Sequence, residues 1–378
     1  MTEHNPSGPD SFRTALPHIE PVRTELVMSA SSDDTIRSPS DLADMAPGSP
    51  RFPIRTRRRR VALPIVLFLA SCASTFWVGT TFLVSSEIES AAIRTGLTAA
   101  AERAQADPEV AKDPAALASI REQASLTYLI QHNYPSGLTY MSAVIGILLC
   151  HEMGHFLQAL RHRVPASLPF FIPMPAGPIG TMGAVIGMNG LQADRRELFD
   201  IGITGPIAGL VVAIPITWFG IMQAQVAPPI DPHATGGMIM HDPWLVRQMI
   251  AYLRPDVPPG QELLLNPLLL AGWVGMLITG LNMMPVSQLD GGHVIYSLFG
   301  RRIAHAIAKI FVIVAVLYII FADASMWMVM LILVIVMGAT HPPTADDSVE
   351  LTLPQKIVGY ASLAIPFLCF PPQGITIH

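Results

Sequence analysis

The sequence predicts an all-α polytopic membrane protein of about six to seven transmembrane helices with one re-entrant, β-hairpin-like segment. Three observations carry that expectation. Of the 378 residues, 51% are hydrophobic and only 13% charged, with a mean hydropathy of +0.45, too apolar for a domain facing water on all sides. The apolar residues gather in runs of roughly twenty, the length a bilayer core demands, rather than at amphipathic spacing. Arginine clusters border those runs on alternate crossings, as the positive-inside rule requires of a chain whose amino terminus is inside.

Residues 1–60, rich in Ser, Pro, Asp, Glu and Arg without an apolar period, read as a disordered cytoplasmic tail. The tail ends in Arg55-Thr56-Arg57-Arg58-Arg59-Arg60, directly before a first transmembrane helix at 61–86 that runs outward. With a span following at once, these arginines read as a membrane border rather than a nucleic-acid site. Residues 87–136, acidic-leaning and Ala-rich, form an external helical segment of one or two helices. A catalytic membrane core is expected over 137–300. Its first span, near 137–160, returns inward and is closed by Arg161-His162-Arg163. Beyond it, Pro165, Pro169, Pro173, Pro175 and Pro178 break any helix, yet Phe170, Phe171, Ile172, Met174 and Ile179 are strongly apolar. Such a segment is tolerated at membrane depth only where protein or a cavity buries it, hence the re-entrant hairpin. A third span at 199–222 carries Gly202, Gly205 and Gly209, small residues that let helices approach closely. A Pro-rich outer loop comes next at 223–265, then a fourth span at 266–285. Residues 301–378 hold the C-terminal transmembrane helices, at 303–321, 326–337 and 357–370, the last two short. The net charge of −5 excludes little, because the charges are segregated. Cys72, Cys150 and Cys369 lie far apart in apolar runs and form neither a disulfide framework nor a thiolate site.

Chemistry enters at His151-Glu152-Met153-Gly154-His155. On a helix, positions i and i+4 share a face, so both imidazoles can grip one small cation, Zn2+ being the expected cofactor. Glu152 lies beside the open side of that ion, where a carboxylate can take a proton from water. Two histidines do not hold a catalytic zinc, and a third protein ligand is required. Arg161 stands where the longer metzincin motif needs histidine, so that form is excluded. Asp290, in Leu289-Asp290-Gly291-Gly292, follows an apolar span and by topology shares a membrane side with His151. Glu350 stays open as an alternative third ligand. The remaining histidines read as structural: His293 as interfacial, His341 as marking a span's end, and His132, His162, His233, His241 and His305 as border or loop residues.

Paired with Asn282-Met283-Met284-Pro285-Val286-Ser287-Gln288-Leu289-Asp290-Gly291-Gly292, the histidine motif resembles the site-2 protease family of intramembrane zinc metalloproteases, over about residues 137–300. The resemblance implies His151, His155 and Asp290 as zinc ligands, Glu152 as general base and acid, and Asn282 near the reacting carbonyl. The stretch Gly180 to Met188 is similar to the family's segment that pairs with an unwound substrate, which implies substrate binding at Gly180, Thr181, Met182, Gly183 and Ala184. The approach from Asn266 to Trp273 is similar to that of the cyanobacterial and plastid-type branch, and the outer loop is too short for a PDZ domain. The resemblance also implies hydrolysis in or near the transmembrane segment of a membrane-anchored protein, a single-pass helix. The enzyme would lie in the lipid bilayer, as a multi-pass protein of a bacterial inner membrane with its amino terminus cytoplasmic and no nucleic-acid partner. Two other classes fit the same residues: a metal or ion transporter using the His/Asp cluster, and a catalytically silent membrane chaperone.

Overall fold

Twenty mostly apolar residues form the first helix, α1 (Ala62–Thr81), about 30 Å long at 1.5 Å per residue and so matched to a bilayer core. The computed structural model describes residues 61–188, 190–227, 238–258, 261–286, 288–322, 324–338 and 340–377; the tail at 1–60 and His233 lie outside the described residues.

Ser85 caps α2 (Ser86–Ala106), accepting from the Ile88 N–H at 3.4 Å, with Glu87 and Glu89 in the first turn where the helix dipole favours them. One helical turn, α3 (Pro108–Ala111), leads to Asp113. Its carboxylate accepts from Ala115 and Ala116 and starts α4 (Pro114–Arg161). At 48 residues α4 is about 72 Å long. It joins the second half of the expected external segment to the second span in one helix. Pro135-Ser136-Gly137 reads as a break, but α4 is clamped to α1 on both sides of it. Buried Asn133 donates to the Thr80 and Leu83 carbonyls at 2.8 and 2.9 Å. Gly137 lies so close to α1 that a Cβ would stand 2.0 Å from Thr80 Oγ1. Those contacts offset the one backbone hydrogen bond that Pro135 removes. Helix α2 lies along the first half of α4, with the Ser125 hydroxyl donating to the Ala92 carbonyl at 3.0 Å.

The expected hairpin is an antiparallel pair, β1 (Phe170–Met174) and β2 (Gly180–Val185), bulged between Phe171 and Pro173. Protein buries it. Phe171 meets Phe68 of α1 edge-on at 5.1 Å, and the Tyr140 hydroxyl of α4 donates to the Ile179 carbonyl at 2.7 Å. Gly180 has φ +82, and a Cβ there would stand 2.8 Å from Thr75 Cα, so only glycine fits.

A capping box between Asp194 and Glu197 starts α5 (Arg195–Gln223). The loop beyond holds β3 (Met238–Met240) and α6 (Trp244–Leu253). Asn266 caps α7 (Pro267–Asn282) and also donates to the Gly220 carbonyl at 2.7 Å, tying it to the end of α5. A turn then gives α8 (Asp290–Phe321), broken at Gly300 (φ 76, ψ 171). The break frees carbonyls that Arg195 of α5 satisfies: its Nε donates to Ser297 at 2.7 Å and its Nη2 to Leu298 at 3.2 Å. Helices α9 (Met328–Met337), α10 (Leu353–Ser362) and α11 (Ile365–Cys369) come after, and β4 (Ile375–Ile377) pairs antiparallel with β3.

Among the described residues four helices, α1, α4, α5 and α8, are long and apolar enough to cross a membrane. That is fewer than the six to seven expected. The fourth expected span is α7, only 16 residues and about 24 Å long, with every residue from Leu269 to Leu277 buried. Expected spans at 326–337 and 357–370 are the ten-residue α9 and the broken pair α10–α11. The core between α1, α4, the hairpin and α7 centres on Tyr140, Leu148, Phe171 and Trp273.

Candidate metal centre

The four-residue spacing sets both imidazoles on one face of α4, ring centroids 5.0 Å apart and both side chains buried. Asp290, the first residue of α8, meets them from 139 positions later in the chain. Its Oδ2 lies 3.2 Å from His151 Nε2 and 3.3 Å from His155 Nε2. Among the described residues this is the one group of three such side chains whose donor atoms converge, all within 4.8 Å of one another. Zinc bonds of about 2.0–2.2 Å in a tetrahedron set neighbouring donors roughly 3.3–3.6 Å apart. Two imidazoles and a carboxylate at these separations fit that ion, with one coordination position left over.

Close packing by α5 fixes the imidazoles. His155 Nδ1–H donates to the Ile201 carbonyl at 2.7 Å, which leaves Nε2 with its lone pair toward the centre. Glycines at 202, 205 and 209 line the facing side of α5. A Cβ at Gly205 would stand 2.0 Å from His155 Nε2, and one at Gly209 3.0 Å from His151 Nδ1. Gly154, inside the histidine motif, serves the reverse approach: a Cβ there would be 2.6 Å from the Thr204 carbonyl oxygen, and Thr204 Oγ1 donates to the Gly154 carbonyl at 3.1 Å. The sequence shows these glycines as small residues suited to helix contact. Their i, i+3, i+7 spacing was the signal that one helix face is reserved for the imidazoles.

Glu152 is buried beside the pair on α4. Asn282, the last residue of α7, holds its Nδ2 3.4 Å from His151 Nε2. Gly180, Thr181, Met182, Gly183 and Ala184 all lie in β2. Gly183, at φ +100, faces Ile278 of α7, one turn before Asn282. Thr181 Oγ1 accepts from the Gly183 N–H at 3.1 Å, and Met182 projects outward, half exposed. Glu350 is not brought to the centre: its carboxylate stands largely exposed, 3.5 Å from Lys356.

Several histidines read as structural have partners that only the fold reveals. His162 Nε2 lies 3.1 Å from Asp200 Oδ2, and His305 Nε2–H donates to the His341 carbonyl at 2.9 Å. His293 and His341 meet, Nδ1 to Nε2, at 2.6 Å. No local spacing links residues 48 positions apart, so the sequence carries no signal for this pair.

The family model described as Peptidase family M50 matches residues 139–322. Among curated proteins, the chain is 29% identical over 240 residues to "Probable zinc metalloprotease EGY2, chloroplastic" of Arabidopsis thaliana, covering 63% of this chain and 40% of that protein. It is 28% identical over 242 residues to the protein of the same name from Oryza sativa subsp. indica, covering 62% and 41%. Against "Probable zinc metalloprotease EGY1, chloroplastic" of Arabidopsis thaliana, identity is 32% over 166 residues, covering 42% and 29%. The chain thus spans about two fifths or less of the length of these relatives. No solved structure matches it.

Proposed function

We propose that the chain, whose residues 139–322 match the model of peptidase family M50, is an intramembrane zinc metalloendopeptidase of the site-2 protease type. One observation carries the reading: two imidazoles from one buried helix and a carboxylate from a distant one converge at zinc-ligand spacing, with a buried glutamate beside them. His151, His155 and Asp290 hold the ion. When bound, zinc supplies a Lewis acid for the scissile carbonyl and acidifies a water.

The remaining steps belong to this chain's side chains. Glu152 takes the proton of the attacking water and returns it to the departing amine, one carboxyl serving both steps. Burial of Glu152 keeps bulk water from competing for that proton. The Asn282 amide, already turned toward His151, is a donor for charge that develops on the carbonyl oxygen. A helical substrate hides its carbonyls in i to i+4 bonds and must open before any of this. Among the described residues strand β2 pairs with β1 on one side only, and its other edge, at Gly180 to Ala184, receives the opened backbone as an added strand. The substrate is a membrane-anchored protein, a single-pass helix, cut in or near its transmembrane segment.

The crossing pattern behind this reading is seven passes with the amino terminus cytoplasmic, α7, α9 and α10–α11 supplementing the four long helices. Asp346 accepts from Arg195 at the start of α5, whereas Ile375 pairs with Met240 in the loop beyond its end. The segment between them, α10–α11, therefore connects opposite ends of α5. In this pattern Arg161, Arg163, Arg195, Arg196, Arg301 and Arg302 border the inner ends of their spans, as the positive-inside rule asks of a bacterial inner membrane.

The test uses the purified full chain in liposomes with a panel of tagged single-pass proteins, some carrying a Gly-Pro pair in the membrane segment. E152Q is expected to keep its zinc and lose cleavage at least a hundredfold, on the order of the loss for a general base. D290A is expected to lose both. Undiminished cleavage by E152Q, or a zinc-loaded wild type that cuts no member of the panel, overturns the assignment.

A further inference from the structure

Between α9 and α10 the chain forms a polar strap, residues 340–352, across the starts of α5 and α8. It is tied down throughout. Ala345 N–H donates to the Ala193 carbonyl at 2.8 Å, Arg196 Nη2 to the Glu350 carbonyl at 2.7 Å, and the Tyr296 hydroxyl to the Asp347 carboxylate at 3.0 Å. Two strap residues turn inward, Leu351 and His341, and His341 is packed against the Tyr296 ring at 4.5 Å.

The protons of this strap histidine can be assigned from its partners. His341 Nδ1 lies 2.5 Å from the Pro342 carbonyl oxygen, which can only accept, so Nδ1 carries the hydrogen. In the neutral ring Nε2 is then a lone pair, and the contact at 2.6 Å makes His293 Nδ1–H the donor to it. His293 Nε2 is left as an acceptor. His293 is one turn beyond Asp290, at i+3, so both lie on the same face of α8. Both also border Gly202 of α5, where a Cβ would stand 2.8 Å from His293 Cβ and 3.6 Å from the Asp290 carbonyl oxygen.

We propose that His341 is a positioning residue that holds His293 in a single tautomer on the metal-facing side of α8, an inference that rests on the reading of Asp290 as a zinc ligand. A lone pair at His293 Nε2 has no hydrogen to offer the Asp290 carboxylate, whose oxygens stay available to the ion. The same lone pair accepts from a water or a peptide N–H beside the centre. The strap thereby couples residues after α9 to the chemistry of α4 and α8.

Two near-isosteric substitutions separate positioning from packing. In H341Q the amide oxygen replaces the Nε2 acceptor, and in H341M the volume is kept and the acceptor lost. Full-chain protein labelled with 15N-histidine reports the His293 tautomer by NMR in detergent, with melting temperature and zinc content measured alongside. H341Q is expected to keep the wild-type His293 signal and a cleavage rate within about twofold. H341M is expected to mix the tautomers and to lose roughly 10- to 100-fold in rate at saturating substrate, at unchanged melting temperature, as loss of a supporting hydrogen bond does. Equal His293 signals in the two variants overturn the proposal. A wild type that never cleaves overturns the protease reading instead, and the tautomer signals still decide the role of His341.

Discussion

Helices α4 and α8 meet at the metal centre and are otherwise opposites. The most apolar stretch of α8 is more hydrophobic than that of α4, yet 11% of its residues are buried against 56% in α4. The more apolar helix is the more exposed one. In water that ordering would be inverted. In lipid, apolar side chains gain nothing by turning inward, and a helix is drawn to the interior by small residues and polar groups that need partners. Helix α4 carries Gly137, Asn133, His151, Glu152 and Gly154, each with a neighbouring helix against it or buried beneath one. Beyond Gly300, α8 offers Ile310, Ile313, Val314, Leu317 and Ile320 outward. The histidines are thus held by close packing along a long helix, whereas Asp290 is carried by the first turn of a helix that then leaves the bundle.

The strongest way to break this contrast is to spoil the packing that holds the imidazoles. G205A puts a Cβ where His155 Nε2 now stands, so the ring must move off its line to the Ile201 carbonyl. We expect zinc content to fall at least tenfold, with overpacking costing about 1–3 kcal/mol of stability. G209A meets His151 at 3.0 Å, a distance that a small ring shift relieves, and should keep most of its zinc. Metal analysis of the two variants checks it. Equal retention would mean that α5 does not set the imidazole positions.

The same contrast can be sharpened away from the metal. Ile147 of α4 is buried against Gly275 of α7, whereas Ile313 of α8 faces outward. Because lipid replaces water as the alternative surroundings, the transfer part of the usual core penalty vanishes and the cavity part remains. I147A is expected to cost about 1–3 kcal/mol and I313A under about 0.5 kcal/mol. Unfolding of both variants in mixed micelles measures the difference, and similar losses would place the far half of α8 inside a contact.

These differences also explain how far the sequence could be read. The histidine motif, the Asp290 turn and the proline-broken hairpin announce themselves because each depends on residues close in sequence or on a residue type that lipid does not tolerate. The continuity of α4 through Pro135 does not, since it rests on Asn133 and Gly137 gripping α1, fifty or more positions earlier. Nor do the lengths of α9 and α10–α11, for an apolar run says only what its side chains prefer and not whether its backbone stays helical. The His293–His341 contact is invisible for the same reason. It is made by a strap whose path is dictated by Asp346 and Asp347 meeting Arg195 and Tyr296.

A half-buried acid, Asp242, extends the comparison to the opposite end of α5. Asp290 has two imidazoles against it, but at Asp242, between β3 and α6, the repulsion of Glu262 outweighs the attraction of Arg247. Burial first, and then Glu262, push the Asp242 carboxyl up to about 6. The folded protein therefore binds this proton more tightly than the unfolded chain does. As pH rises from about 4, the ordinary value, to 6, the unfolded chain gives up its proton while the folded one keeps it, and stability falls. Above about 6 the folded carboxyl ionises too and the loss levels off. D242N removes the charge without changing the shape. It is expected to match the wild type below pH 4 and to exceed it by about 2–3 kcal/mol above pH 6, read as a gap that opens between two melting curves across that range. Curves that stay parallel would show that Asp242 pairs with a cation strongly enough to hold its charge, making this end of α5 as well matched for its carboxylate as the metal end is for Asp290.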